Sequence, residues 1–240
     1  MGRWFEEKFE RKRVMDSINR RLNSNTNKIN LFENASINFF LIIINLVFFV
    51  VFGILIYLNQ GFIEYIAIKP SNILQGKYLW TFLTSMFMHA GIWHILANML
   101  SLMFIGPLVE RIIGKKRYLY FYILSGLFAA VFFVFSSNFI FASDINTYAV
   151  GASGALFGII GLLMILTPNL PVYIMLIPIP VKMKYAAPGI LIVLWLVSIA
   201  GNIPIGNTAH FGGLITGIIY GFYLKNKFPN KTKFIQKYFS

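Results

Sequence analysis

The segment Ala149-Val150-Gly151-Ala152-Ser153-Gly154-Ala155-Leu156-Phe157-Gly158, continued by an apolar run to Thr167, decides the fold. It carries no charge, and its length matches the roughly 20 residues that a helix needs to cross a bilayer. Glycine and alanine leave the surface around Ser153 nearly free of side chains, so a second helix can come close. Five more apolar runs accompany it, at 36–58, 93–113, 117–136, 186–201 and 206–224. The fold read from them is all-α, a polytopic membrane bundle of six transmembrane helices. Two shorter stretches, 78–91 and 170–181, fall short of a crossing, and the second is broken by Pro171, Pro178 and Pro180. Both read as loops at the membrane surface.

Composition leads to the same solvent. Of the 240 residues, 58% are hydrophobic and 12% charged, against about 45–50% and about 25% in soluble domains. The absence of cysteine excludes a disulfide framework, a thiolate metal site and a cysteine nucleophile. Any nucleophile is therefore an oxygen. The first 30 residues carry eight Lys/Arg, and the apolar run that follows is too long for a signal-peptide core, so 36–58 is read as a retained helix. The chain divides into a basic cytoplasmic segment 1–35, a six-span domain 36–224 and a basic cytoplasmic tail 225–240.

A net charge of +13 raises nucleic acid as a partner, but its distribution points to a bilayer instead. With the N-terminus in the cytoplasm, 19 of the 21 Lys/Arg lie inside and only Lys69 and Lys77 outside, which is the positive-inside pattern. A seventh span at 78–91 would invert every later loop. The expectation is an integral plasma-membrane protein with both termini cytoplasmic, and no nucleic acid among its partners. Within 4–22, basic residues alternate with Phe5, Phe9, Met15, Ile18 and Leu22, which suits an amphipathic helix on an anionic leaflet; a disordered tail is the alternative.

In this topology the second, fourth and sixth spans all start at the outer face. His94 and Asn98, Ser153, and His210 then lie roughly 2–8 Å below the outer ends of those three spans, at 1.5 Å per residue. Buried polar groups in lipid face a cavity or a partner, so four at one depth suggest a joint site. Taken singly, Ser153 reads as a packing residue bonded to a carbonyl, and Asn98 as a bond to a neighbouring helix. On the sixth span His210, Gly213, Gly217 and Gly221 share one face, which permits close contact with the glycine-rich fourth. A Ser153–His210 pair would then supply nucleophile and base. His94 and Asn98, four apart on one helix face, can donate hydrogen bonds beside the Ser153 N–H to a developing oxyanion.

A third triad member is missing. Glu110 lies about 24 Å deeper than His94, and Asp144 in the third loop has no specified route to the histidine, so the site reads as a dyad with its imidazole held by packing. Zinc is the chemical competitor, but His89 and His94 are five apart, no Glu follows His89, and the base such a site needs is lacking. His89 is read as a loop residue tied to the second helix.

These residues resemble the rhomboid family of intramembrane serine proteases. The matching motifs are His89-x4-His94-x3-Asn98, Gly151-x-Ser153-Gly154 and Ala209-His210-x2-Gly213-x3-Gly217, with Glu110-Arg111 also fitting. The resemblance implies Ser153 as nucleophile, His210 as general base and acid, and His94 and Asn98 as oxyanion donors. It also implies a water-filled cavity open to the outer face, membrane-protein substrates cut in or beside a transmembrane segment, and no cofactor. Two positions depart from common members. Trp80-Thr81 stands where Trp-Arg is frequent, and Phe157 where some members have Tyr; that ring is one turn from Ser153 and able to pack on His210. The alternatives are a catalytically silent relative that binds and routes membrane clients, and a solute carrier, for which mid-membrane charge is lacking.

Overall fold

The computed structural model describes residues 36–174, 179–201 and 205–239; the surface helix read into 4–22 lies outside them. Seven helices organise the described chain: α1 Ile37–Leu58, α2 Ile92–Ile113, α3 Lys115–Phe139, α4 Ser153–Leu166, α5 Met183–Gly201, α6 Asn207–Lys227 and α7 Pro229–Tyr238. Helices α1, α2, α3 and α5 are long and apolar enough to cross a membrane. Their outer faces expose Phe39, Val50, Phe104, Phe139 and Ile199, side chains that belong against lipid rather than water. The chain is an integral, multi-pass membrane protein.

Helix α4 is the hub. Most of its 14 residues are buried, and α6, α3, α2 and α5 pack around it. The close approach of α6 depends on glycine. A Cβ on Gly213 would lie 2.0 Å from the carbonyl oxygen of Gly154, and one on Gly217 would lie 2.0 Å from that of Gly158. Even a methyl group would drive the two helices apart, as the small-residue spacing predicts.

At the end of the bundle away from Ser153, polar ties lock α1 to its neighbours. The buried Glu110 carboxylate of α2 accepts from Ser36 Oγ at 2.5 Å and from the N–H groups of Ile37 and Asn38 at 2.9 and 3.1 Å. A negative group thus caps the positive end of α1. Asn38 then donates to the carbonyl of Leu102 and accepts from Tyr118 Oη at 2.6 Å, which joins α1, α2 and α3 through one buried amide.

Three elements differ from the sequence expectation. The fourth span, read as helical from Ala149, becomes a helix only at Ser153, because residues 149–151 spend their backbone groups on the loop between α1 and α2. The stretch 170–181 includes a two-residue antiparallel ladder, Pro171–Val172 with Val181–Lys182. Helix α6 continues to Lys227, and α7 packs back on the bundle, with Gln236 Nε2 donating to the carbonyl of Ile165 at 3.0 Å.

Candidate active site

Ser153 is the first residue of α4, and His210 lies in the first turn of α6. The glycine contact between these helices brings the two side chains together: His210 Nε2 lies 2.7 Å from Ser153 Oγ. The imidazole is buried and stacks on Phe157, with ring centroids 4.6 Å apart and 18° between planes. Packing therefore fixes its plane. Its Nδ1 has no hydrogen-bonding partner among the described residues.

His94 and Asn98 lie on α2 beside this pair. The Ala90 N–H points at His94 Nδ1 at 3.4 Å, which leaves Nε2 as the protonated nitrogen of a neutral ring. A Cβ on Gly151 would sit 2.8 Å from His94 Nε2 and 3.6 Å from Ser153 Oγ. Only glycine admits the ring here, and Gly151 also adopts φ +123°, a conformation that side chains disfavour. Asn98 is buried, and its Nδ2 donates to the His94 carbonyl at 2.8 Å. One amide hydrogen is thus held within its own helix. The alternative reading of Asn98, a bond to a neighbouring helix, is not the bond its Nδ2 makes.

The approach to Ser153 was hidden from sequence reasoning. Ala149 pairs with Ile68, each donating to the other's carbonyl at 2.9 and 3.1 Å, and Gly151 donates to the Ser85 carbonyl at 2.8 Å. The Ala152 N–H makes a long contact of 3.5 Å to His89 Nε2. Burial, helped by the nearby His94, pushes His89 down to about 3, so it stays neutral and able to accept. His89 thus ties the first loop to the serine segment, rather than to the second helix alone as read from the sequence.

Comparison with known proteins bears on this arrangement directly. The Rhomboid domain model matches residues 76–227. The chain belongs to the rhomboid family. Similar rhomboid proteins include RHOMBOID-like protein 2 of Arabidopsis thaliana, 40% identical over 161 residues, which is 66% of this chain and 46% of that protein. RHOMBOID-like protein 6, mitochondrial, of the same plant is 34% identical over 165 residues, covering 66% and 48%. Rhomboid protease GluP of Bacillus subtilis (strain 168) is 28% identical over 162 residues, covering 66% and 28%. The matched part of the chain thus spans less than half the length of these relatives.

Within the rhomboid match, Thr81 is buried and bonds only locally, its Oγ1 donating to the Tyr78 carbonyl at 2.7 Å. Trp80 Nε1 donates to the Tyr65 carbonyl at 2.9 Å. Thr81, which departs from the frequent Trp-Arg pair, and the matching Trp80 therefore secure the loop to itself. The ties from that loop to the serine segment come from other residues.

Proposed function

We propose that the chain is an intramembrane serine endopeptidase that cleaves the transmembrane segments of other membrane proteins. One observation carries the reading, the 2.7 Å approach of His210 Nε2 to Ser153 Oγ. Membership of a family that includes a named protease supports it.

In this reading His210 Nε2 accepts the Ser153 hydroxyl proton as Oγ bonds to the scissile carbonyl carbon. The carbonyl oxygen becomes an oxyanion, met by His94 Nε2–H, the remaining Asn98 amide hydrogen and the Ser153 N–H at the positive end of α4. His210 passes its proton to the leaving amine nitrogen. A water then loses a proton to His210 and attacks the acyl carbon, and the proton returns to Ser153 Oγ as the acid product leaves. A substrate helix has its backbone bonded internally, so it must unwind locally before Ser153 reaches a carbonyl.

Six helices cross the membrane in this reading, the short, buried α4 and the glycine-rich α6 together with the other four, with both termini in the cytoplasm and Ser153 near the outer face. The 19-to-2 partition of basic residues supports that orientation, and the plasma membrane is the location proposed. Cell fractionation separates that location from an internal membrane, such as the one recorded in the name of the mitochondrial relative.

A fluorophosphonate probe tests the chemistry, since Ser153 Oγ would displace fluoride from phosphorus with His210 taking the proton. Wild-type protein is expected to gain the adduct on Ser153, while Ser153→Ala and His210→Ala gain none. Intact folding with no adduct on the wild type would contradict the reading and favour a silent client-binding relative.

A further inference from the structure

The segment that delivers Ser153 runs from Tyr148 to Ala152, and every tie described for it leads to the loop between α1 and α2. At the centre of that loop is a polar cluster distinct from the dyad. The Glu64 carboxylate accepts from Lys69 Nζ at 3.2 Å, from Asn72 Nδ2 and from Tyr148 Oη. Lys69 Nζ also reaches Tyr148 Oη at 3.5 Å and lies over the Tyr148 ring. One carboxylate thus joins a loop residue 84 positions away to its own turn of helix.

That turn, Ile63–Ile66, is itself anchored. The Tyr65 and Ile66 carbonyls accept from Trp80 Nε1 and Thr84 Oγ1, each at 2.9 Å, and Ile66, Ala67 and Ile68 are buried. Ser85, next in the chain after Thr84, supplies the carbonyl that holds Gly151. The bonds therefore form a closed circuit: Glu64 to Tyr148, along the backbone to Gly151, across to Ser85 and Thr84, and back through Ile66 to Glu64. Gly151 has no side chain to fix its own conformation, so the circuit sets where α4 begins. Glu64, Lys69 and Asn72 lie ahead of residue 76, where the family match starts.

We propose that Glu64 is a positioning residue for Ser153, acting through Tyr148 to hold the extended segment that sets the serine against His210. The proposal rests on the serine-hydrolase reading. Hydrogen bonds to a charged carboxylate are roughly twice as strong as neutral ones, so Glu64→Gln weakens the clasp while keeping its shape. Tyr148→Phe removes one hydroxyl. Misplacing a reacting group by about 1 Å costs on the order of 10²-fold in rate, and a loosened segment falls short of that limit.

The test is the kinetics of fluorophosphonate labelling of the purified full chain, with the maximal inactivation rate and the half-saturating probe concentration measured separately and the melting midpoint recorded. Glu64→Gln and Tyr148→Phe are each expected to lower the maximal rate about tenfold and to leave half-saturation unchanged. The double variant is expected to be no slower than the worse single, because the two residues act as one unit. Lys77→Gln, on an exposed lysine bonded to Gln75, is expected to label like the wild type. Wild-type maximal rates in both clasp variants, with or without a lower melting midpoint, would overturn the proposal and leave the hydrolase reading standing. Failure of the wild type to label would overturn both. If Glu64→Gln does not accumulate in membranes, the milder Tyr148→Phe decides alone.

Discussion

His210 presents Nε2 to Ser153 and is held by the Phe157 ring against its face rather than by a carboxylate. In the proposed mechanism His94 and Asn98 are donors to the oxyanion. Removing one such donor costs about 10²–10³ in kcat in a serine protease, and the others continue to act. Asn98→Ala and His94→Ala are therefore expected to lower kcat by that order while changing KM little, since the lost bonds form mainly in the transition state. Steady-state kinetics check this, and an effect confined to KM would make the residue a cavity lining only. These four residues stood out in the sequence because they share one depth on three helices, although Ser153 and Asn98 taken singly have ordinary packing readings. The clasp did not: Glu64 lies in the connection between two spans, where a carboxylate is ordinary, and nothing local links it to Tyr148.

Helix α4 shows what periodicity cannot read. Ala149-Val150-Gly151 is as apolar as the helix it precedes, and backbone bonds of Ala149 and Gly151 to a distant loop take it out of the helix. The α4–α6 contact, by contrast, was readable from glycine spacing, and it carries its own prediction. In Gly217→Ala the new methyl would meet the Gly158 carbonyl 2.0 Å away, and overpacking of this kind costs about 1–3 kcal/mol. A lower melting midpoint and slower labelling of Ser153 are expected; an unchanged midpoint would mean that the helices do not pack this closely. The loop predicts a pH effect. Bonds from Tyr148, then Asn72 and Lys69, hold Glu64 below its ordinary value of 4.5. A lowered folded-state pKa gives stability that is complete above the ordinary value and is lost as pH falls through the lowered one. The difference in melting midpoint between wild type and Glu64→Gln is thus expected to be full at neutral pH and to shrink below about 4.5. A difference that stays constant as the pH falls well below that value would show that the charge contributes nothing.

For the whole molecule, a buried helix of 14 residues is about 21 Å long, shorter than the roughly 30 Å of hydrocarbon around it. In the proposed six-span reading, that shortness sets Ser153, the first residue of α4, below the membrane surface and open to water from the outer end. Orientation is testable because the chain has no cysteine. Single cysteines at the exposed positions Lys77 and Ser143 are expected to react with an impermeant thiol reagent from outside, and those at Lys116 and Lys231 to be protected; the reverse pattern would invert the topology. The most direct test of intramembrane proteolysis compares new peptide termini in cells producing the wild type with those in cells producing Ser153→Ala. The account predicts a set of membrane proteins cut within or beside a transmembrane segment only when Ser153 is present. Identical sets of termini from the two cell populations, at equal protein levels, would contradict it.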